Sequence, residues 1–516
     1  MKKLLAIAMV AGVMITACKK HDDVEAPRLF RPVSAGVLSA DSNTIEVGWQ
    51  KIGGAVQYEL QLSKDAFATV DVTVATDTSY AVVTKLLFSQ LYQLRVRAIA
   101  ADTARNSKWA KLGEIKTLSS ILKTPGLEDI TTNSVRIRWS TKGAPVTAVK
   151  ILKAADSTVV KEVTLTATDV TNEYVVATGL EAGTPYIIVL YSGSDARGSA
   201  NFSSKAPFAG TIIDLSGITG KPSVLLDTLP KVTSGSVILL RRGETYNMNA
   251  GYAIDKSLII MSAPDLENTT QAHLYFTSNL SFAAAAAIDS VEFNDVHMYS
   301  DNYASRYIFN NTNSANVGKL KFVNSRMEIF RGMVRLQSGT LNMGTFVIDN
   351  CIVDSIGNYQ VLNIAATCKI DNIAITNSTI YKVEGVVASA SAANTVLVDA
   401  CTFNEAPLGN SKNYYFDYNT NMIANGITVT NCLFGIGKNS AGALTVRDVR
   451  MGSGTVISLA NNYRTSDHTS AGNDFPVITT YTRPSNQLWV APLAGDFKIA
   501  DNAFPAKNTA GDPRWR

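Results

Sequence analysis

Cysteine is nearly missing from this chain, which carries five in 516 residues. Cys18 stands near the start, and Cys351, Cys368, Cys401 and Cys432 lie in the C-terminal half without CxxC spacing. That excludes a disulfide-built scaffold and a cysteine-based zinc cluster. Histidine is scarcer, at four, and His273, His297 and His468 are isolated in sequence. Charge of one sign is also lacking: the formal net charge is +4, and removing Lys2 and Lys3 leaves +2. With no long basic run, nothing argues for a nucleic-acid partner. Long apolar runs are absent too. Leu4 to Ile15 is twelve residues and Ala283 to Ile288 six, against the roughly 20 of a membrane-spanning helix. What the chain does have is 46% hydrophobic residues, enough for folded structure, and a length that implies two to four domains.

Lys2 and Lys3 precede the apolar stretch from Leu4, and Ile15-Thr16-Ala17-Cys18 closes it. This arrangement resembles a bacterial lipoprotein signal, residues 1–17, cut before a cysteine that is then acylated. The resemblance implies Cys18 as the lipidation site, a lipidated tether over 18–27, and attachment to the outer membrane through the lipid alone. Lys19-Lys20-His21-Asp22-Asp23 resembles the acidic export tag of Bacteroidetes-type surface lipoproteins and so implies exposure on the cell surface.

From Arg28 onward, apolar and polar residues alternate in short runs, as in Thr44-Ile45-Glu46-Val47-Gly48-Trp49 and Tyr92-Gln93-Leu94-Arg95-Val96. Period two with turn residues between runs predicts half-buried strands of a β-sandwich. Ser134-Val135-Arg136-Ile137-Arg138-Trp139 repeats the first tryptophan strand 90 residues later, so two copies of one domain are expected, over 28–119 and 121–210. Trp49, Trp139 and the run Leu180 to Tyr186 resemble the core tryptophan and leucine-to-tyrosine corner of fibronectin type III domains. Such domains usually act as spacers or interaction modules.

After residue 211 the pattern becomes a repeat, [apolar]-x-[apolar]-x-[Asn/Asp]-[small]-x-[apolar]. Phe346-Val347-Ile348-Asp349-Asn350-Cys351-Ile352-Val353 is one copy, and equivalent corners fall at Asp295, Asn324, Asn350, Asn377, Ala400 and Asn431. The spacings are 29, 26, 27, 23 and 31 residues, a solenoid period. Each unit is expected to hold two short strands bent at an Asn or Asp, residues that tolerate left-handed backbone. One rung cannot bury its apolar side alone, so stacking makes the core. The repeats resemble those of right-handed parallel β-helices of the pectin-lyase type, covering 211–516. Gly495 to Ile499 and Gly511 to Trp515 resemble the closing segments of β-helical proteins from polysaccharide-utilisation systems. The expected fold class is all-β: two fibronectin type III sandwiches, then a right-handed parallel β-helix.

Cys351, Cys401 and Cys432 share the repeat position of Ser325 and Ser378 and are read as a stack of small buried side chains. A Cys401–Cys432 disulfide between neighbouring rungs stays open, although parallel side-chain directions disfavour it.

A pectate-lyase-like reaction requires carboxylates converging on calcium, which takes six to eight oxygen ligands, and a base for the proton beside the uronate carboxyl. The outward columns offer Asp349, Asp354 and Asp399 as metal ligands and Lys321 or Arg326 as base. Asp349 and Asp399 lie two rungs apart, too far to share one ion without a third group. The polygalacturonase-type Asp-Asp, Gly-His-Gly and Arg-Ile-Lys motifs are absent from 211–516, and no catalytic signature is intact. Sugar binding needs aromatic faces for pyranose rings and charged groups for hydroxyls or uronates. Tyr299, Tyr303 and Tyr307 follow one rung, Tyr381 another, and Tyr414, Tyr415 and Tyr418 sit in what reads as a long insertion. Arg326, Arg331 and Arg335 supply a basic patch for acidic glycans.

The expected function is therefore that of a cell-surface, non-catalytic polysaccharide-binding lipoprotein, working beside other surface glycan-uptake proteins and presenting the solenoid to plant-type or acidic glycans. A calcium-dependent lyase acting on a uronic-acid polymer is the enzymatic alternative. An adhesin or assembly factor is the third.

Overall fold

The computed structural model describes residues 27–141, 145–410 and 413–516. Cys18 and the expected signal lie outside the described residues. The chain divides into two compact units, one ending at Ala206 and one spanning Pro207–Arg516.

The first unit holds two antiparallel sandwiches. In the first, a three-stranded sheet joins Ser34–Asp41, Thr44–Trp49 and Tyr80–Val83, and a four-stranded sheet joins Val72–Thr76, Gln57–Ser63, Leu91–Ile99 and Ala110–Lys116. The alternation predicted from sequence places Ile45, Val47, Trp49, Leu60, Leu94 and Val96 inside. In the second, Tyr174–Thr178 pairs with Ser134–Arg138 opposite a four-stranded sheet, around a fully buried Trp139. The Leu87 N–H donates to Tyr92 Oη at 3.2 Å and the Glu181 N–H to Tyr186 Oη at 2.9 Å. Both copies thus carry the tyrosine corner that marks fibronectin-type sandwiches.

The second unit is a parallel β-solenoid. Three sheets run its length, with ten strands in the first, ten in the second and eight in the third, and each rung pairs in register with the next. In the first sheet Glu292, Lys321, Val347, Ala374 and Leu397 form one outward column. Interior positions stack like on like, as in Phe293 over Phe322 at 5.5 Å between ring centres and Phe403 over Phe434 at 5.1 Å. All six predicted corners have left-handed backbone, with φ from 50° at Asn377 to 55° at Asn431, and Asn461 (φ 54°) continues the column. Their amides bond along the stack, Asn350 Nδ2 to Asn324 Oδ1 at 2.7 Å and Asn461 Nδ2 to Asn431 Oδ1 at 2.8 Å.

Rungs contain three strands rather than the two expected. The third-sheet strands, such as Leu362–Ile364, Val387–Ser389 and Phe416–Asp417, are two to five residues long and lack an Asn corner, so no period betrays them. Cys351, Cys368, Cys401 and Cys432 are free and buried. Cys351, Cys401 and Cys432 each donate to the carbonyl two residues back, the same bond that Ser325 and Ser378 make.

The C-terminal segment, 485–516, lies across the outer face of the second sheet. Trp489, Phe497 and Phe504 are buried there with Tyr381 and Leu433, against partly buried Ile352 and Tyr463. The Trp515 Nε1–H donates to Thr379 Oγ1 at 2.7 Å. Gly495 has φ 82°, and a Cβ there would meet Tyr381 Oη at 2.6 Å, so only glycine admits this close approach.

Candidate functional site

Ahead of the C-terminal segment, the outer face of the second sheet carries polar and aromatic side chains on three successive strands, Ala272–Phe276, Val296–Ser300 and Arg326–Phe330. Parallel register sets His273 beside His297 and Tyr275 beside Tyr299. His273 Nδ1 and His297 Nδ1 are 3.0 Å apart, and His297 Nε2 is 2.9 Å from Glu328 Oε1. Arg326 donates twice to Glu328 Oε2, at 2.9 and 2.6 Å, and once to Asp354 Oδ2 at 3.1 Å. The Tyr381 hydroxyl donates to the same Asp354 oxygen at 2.6 Å. One chain of bonds therefore links five rungs. The His297 bond, reinforced by Arg326, brings the Glu328 pKa down to about 2 despite burial. Burial, aided by His297, lowers that of His273.

A second cluster sits where the second sheet turns into the third. Ser355, Lys382 and Glu405 occupy that corner on successive rungs with φ 53°, 55° and 48°. Ile329 stands there too with φ 63°, an unusual conformation for a β-branched residue and a store of strain of about 1–3 kcal/mol. Tyr303, from the loop between Val296–Ser300 and Tyr307–Asn311, reaches along this corner. Its hydroxyl donates to Glu384 Oε1 at 3.1 Å and accepts from Lys438 Nζ at 2.7 Å. Lys438 is also 3.9 Å from Glu384. Burial lowers the Lys438 pKa against the pull of Glu384 and Glu405. Burial raises that of Glu405, whose Oε2 has no hydrogen-bond partner.

The third cluster adjoins it on the third sheet. The Arg335 guanidinium lies 3.8 Å from the Tyr359 ring centre and 5.8 Å from that of Tyr307, and Arg331 lies 4.7 Å from Tyr359. Arg331 donates to Asn358 Oδ1 at 3.1 Å. Neither arginine has a carboxylate within ion-pair distance among the described residues, whereas Arg242, Arg326 and Arg450 each do. Tyr307 Oη, Asn310 Oδ1 and Arg335 Nε are buried there without hydrogen-bond partners.

Several expected site residues sit elsewhere. Lys321 is bound to Glu292 at 2.5 Å on the first sheet, and Arg326, on the second, is neutralised by two carboxylates, so neither is available as a base. Asp349 accepts from Thr376 and Asn377, and Asp399 from Thr430 and Asn431, at 2.6 to 2.9 Å. They brace corners of the first sheet, with Thr376 between them, while Asp354 belongs to the second sheet, so the three do not converge on calcium. Among the described residues no three His, Cys, Asp or Glu side chains are grouped to hold a metal ion. Tyr415 and Tyr418 are core residues with no exposure, because the supposed insertion is the third-sheet strand of its rung. Tyr381 is covered by Phe497 at 5.3 Å, and Tyr414 is buried with Arg450 4.8 Å from its ring. Of the other expected residues, Tyr299 and Arg326 lie on the second sheet, Tyr303 at the corner, and Tyr307, Arg331 and Arg335 at the third sheet. Tyr359, Glu384 and Lys438 were missed. They lie in the connections between strands, outside the repeat whose columns expose His297 and Glu328.

These features define a parallel β-solenoid preceded by fibronectin-type sandwiches. Residues 396–515, comprising the last rungs and the covering segment, match the model of a domain of unknown function, DUF5123. The sandwich region is similar to the FN1–FN3 domains of chicken CNTN1, at 11% identity and TM-score 0.17 over 35% of this chain and 68% of that one. It is also similar to a two-domain fibronectin type III segment of chicken tenascin, at 17% identity and TM-score 0.16 over 33% and 97%. No curated protein matches the chain.

Proposed function

We propose that this protein is a surface lipoprotein, anchored in the outer membrane through Cys18, that binds an acidic polysaccharide along the corner between the second and third sheets. The observation that carries this reading is the pair of unneutralised guanidiniums of Arg331 and Arg335 against Tyr359, flanked by buried polar atoms without partners. Leaving such atoms unsatisfied costs about 1–3 kcal/mol each. A uronate carboxylate answers Arg331 and Arg335, and Tyr303 at the adjoining corner extends the surface for a linear polymer. Surface glycan-uptake proteins are the partners this role calls for. Titrating a soluble form without residues 1–18 against polygalacturonate should give saturable heat that falls at least tenfold in affinity in Arg331→Ala/Arg335→Ala. Equal binding by the variant would refute the site. Cys18→Ser should move the full chain from the membrane fraction to the soluble one.

Lys438 favours a second reading, eliminative cleavage of the bound uronate. Its lowered pKa and its contact with Tyr303 suit proton abstraction better than Lys321 or Arg326 do. Ultraviolet absorbance of an unsaturated product, growing with time and lost in Lys438→Ala, would establish the enzyme. A flat trace leaves binding alone.

A further inference from the structure

We propose that His273 and His297 form a binding site for a divalent transition-metal ion, copper(II) before nickel(II), on the open half of the second sheet. The inference is independent of the glycan reading. Register places the two residues opposite each other on adjacent strands, and their Nδ1 atoms face one another at 3.0 Å. Metal–imidazole bonds of about 2.0–2.1 Å separate two cis nitrogens by about 2.9 Å at 90° and about 3.3 Å at the tetrahedral angle. The observed spacing is that of a hydrogen bond in the free protein and is short enough for both nitrogens to enter one coordination sphere; imidazole donors suit copper(II) and nickel(II). Binding replaces the hydrogen bond between the two rings, which turn so that both lone pairs leave the line joining the nitrogens and converge on one ion.

The surroundings orient the rings as ligands. Glu328 can only accept at 2.9 Å, so His297 carries its proton on Nε2 and, in the neutral ring, presents the Nδ1 lone pair. Arg326 holds Glu328 in turn through two bonds. A ligating histidine whose other ring nitrogen donates to a fixed carboxylate is the usual outer-shell arrangement of protein metal sites. His273 donates its Nδ1 proton to His297 in the free protein and carries it on Nε2 once the ion is bound. Both side chains are half-buried, at the surface of the sheet. With no third His, Cys, Asp or Glu in the group among the described residues, the other coordination positions belong to water or to the hydroxyls of a bound molecule. Nitrogen donors exclude calcium as the occupant.

The test is titration of the full chain with copper(II), read by calorimetry and by electron paramagnetic resonance. The wild type should take up one equivalent whose spectrum shows two coupled imidazole nitrogens. His273→Ala and His297→Ala should each lose that equivalent, while Glu328→Gln, which keeps both rings, should bind it roughly 10–100-fold more weakly. His21 and His468 remain in every variant and cancel in the comparison. Equal stoichiometry and affinity in wild type and the double alanine variant overturns the site. If an alanine variant fails to fold, judged by circular dichroism, the wild-type spectrum decides: two coupled nitrogens support the site and one or none refutes it.

Discussion

Two halves of one sheet face share a backbone ladder and differ in what covers them. In the same outward column of the second sheet, His273, His297 and Arg326 are followed by Ile352, Thr379, Thr402 and Leu433. The first three meet solvent and one another. The last four lie under residues 485–516, where Thr379 and Thr402 bond Asp512 and Leu433 joins the apolar cluster of Phe497. The backbone is the same parallel ladder throughout, so the contrast is one of cover. Where a segment of chain supplies a second layer, the column turns apolar or is matched by specific bonds. Where none does, it can be charged and aromatic, and that is where ligand chemistry is free to act.

Breaking the cover should have the largest effect. Phe497 is fully buried between Tyr381, Trp489 and Trp515, and Phe497→Ala should cost about 3–5 kcal/mol, read as a lower midpoint in urea. A change under about 1 kcal/mol would mean that the segment adds little to the sheet it overlies.

The open half should respond to acid instead. A carboxyl with a folded pKa below its unfolded one stabilises fully above the unfolded value and loses that contribution as pH falls through the folded one. For Glu328 the window runs from 4.5 to about 2, and the contribution is on the order of 2–3 kcal/mol. Stability of the wild type should therefore fall more steeply over this window than that of Glu328→Gln. Parallel curves would show that the His297–Glu328–Arg326 network adds nothing.

A smaller effect sharpens the boundary between the halves. Asn350 holds a left-handed corner and accepts from Arg514 of the covering segment at 2.8 Å. Asn350→Ala should cost about 1–2 kcal/mol, whereas Asn324→Ala, at an equivalent corner that no bond joins to the segment, should cost less. Equal losses would assign the whole effect to the corner.

Much of this was legible in the chain. Period-two alternation around Trp49 and Trp139, and a corner that recurs every 23 to 31 residues and is Asn or Asp at five of six positions, are local patterns because each element meets its solvent face and its core face in strict alternation. Even the outward columns of the first and second sheets could be read in register. The third sheet could not, since Val387–Ser389 and Phe416–Asp417 are too short to show a period. Tyr415 and Tyr418 were misplaced for that reason.

The candidate site was harder to read. Arg331, Arg335, Tyr303 and Tyr307 were visible as residue types, but their meeting with Tyr359, Glu384 and Lys438 spans up to 135 residues of chain. The sequence by itself determined the strands, the corners and which side chains face in or out, because those follow from the period of each element and from the backbone tolerance of asparagine and glycine. Only the tertiary structure decided which outward residues became neighbours, which arginines went without a carboxylate, and which half of the second sheet was covered. Those depend on stacking rung upon rung and on the path of the last 32 residues back across them, and no local pattern encodes that path.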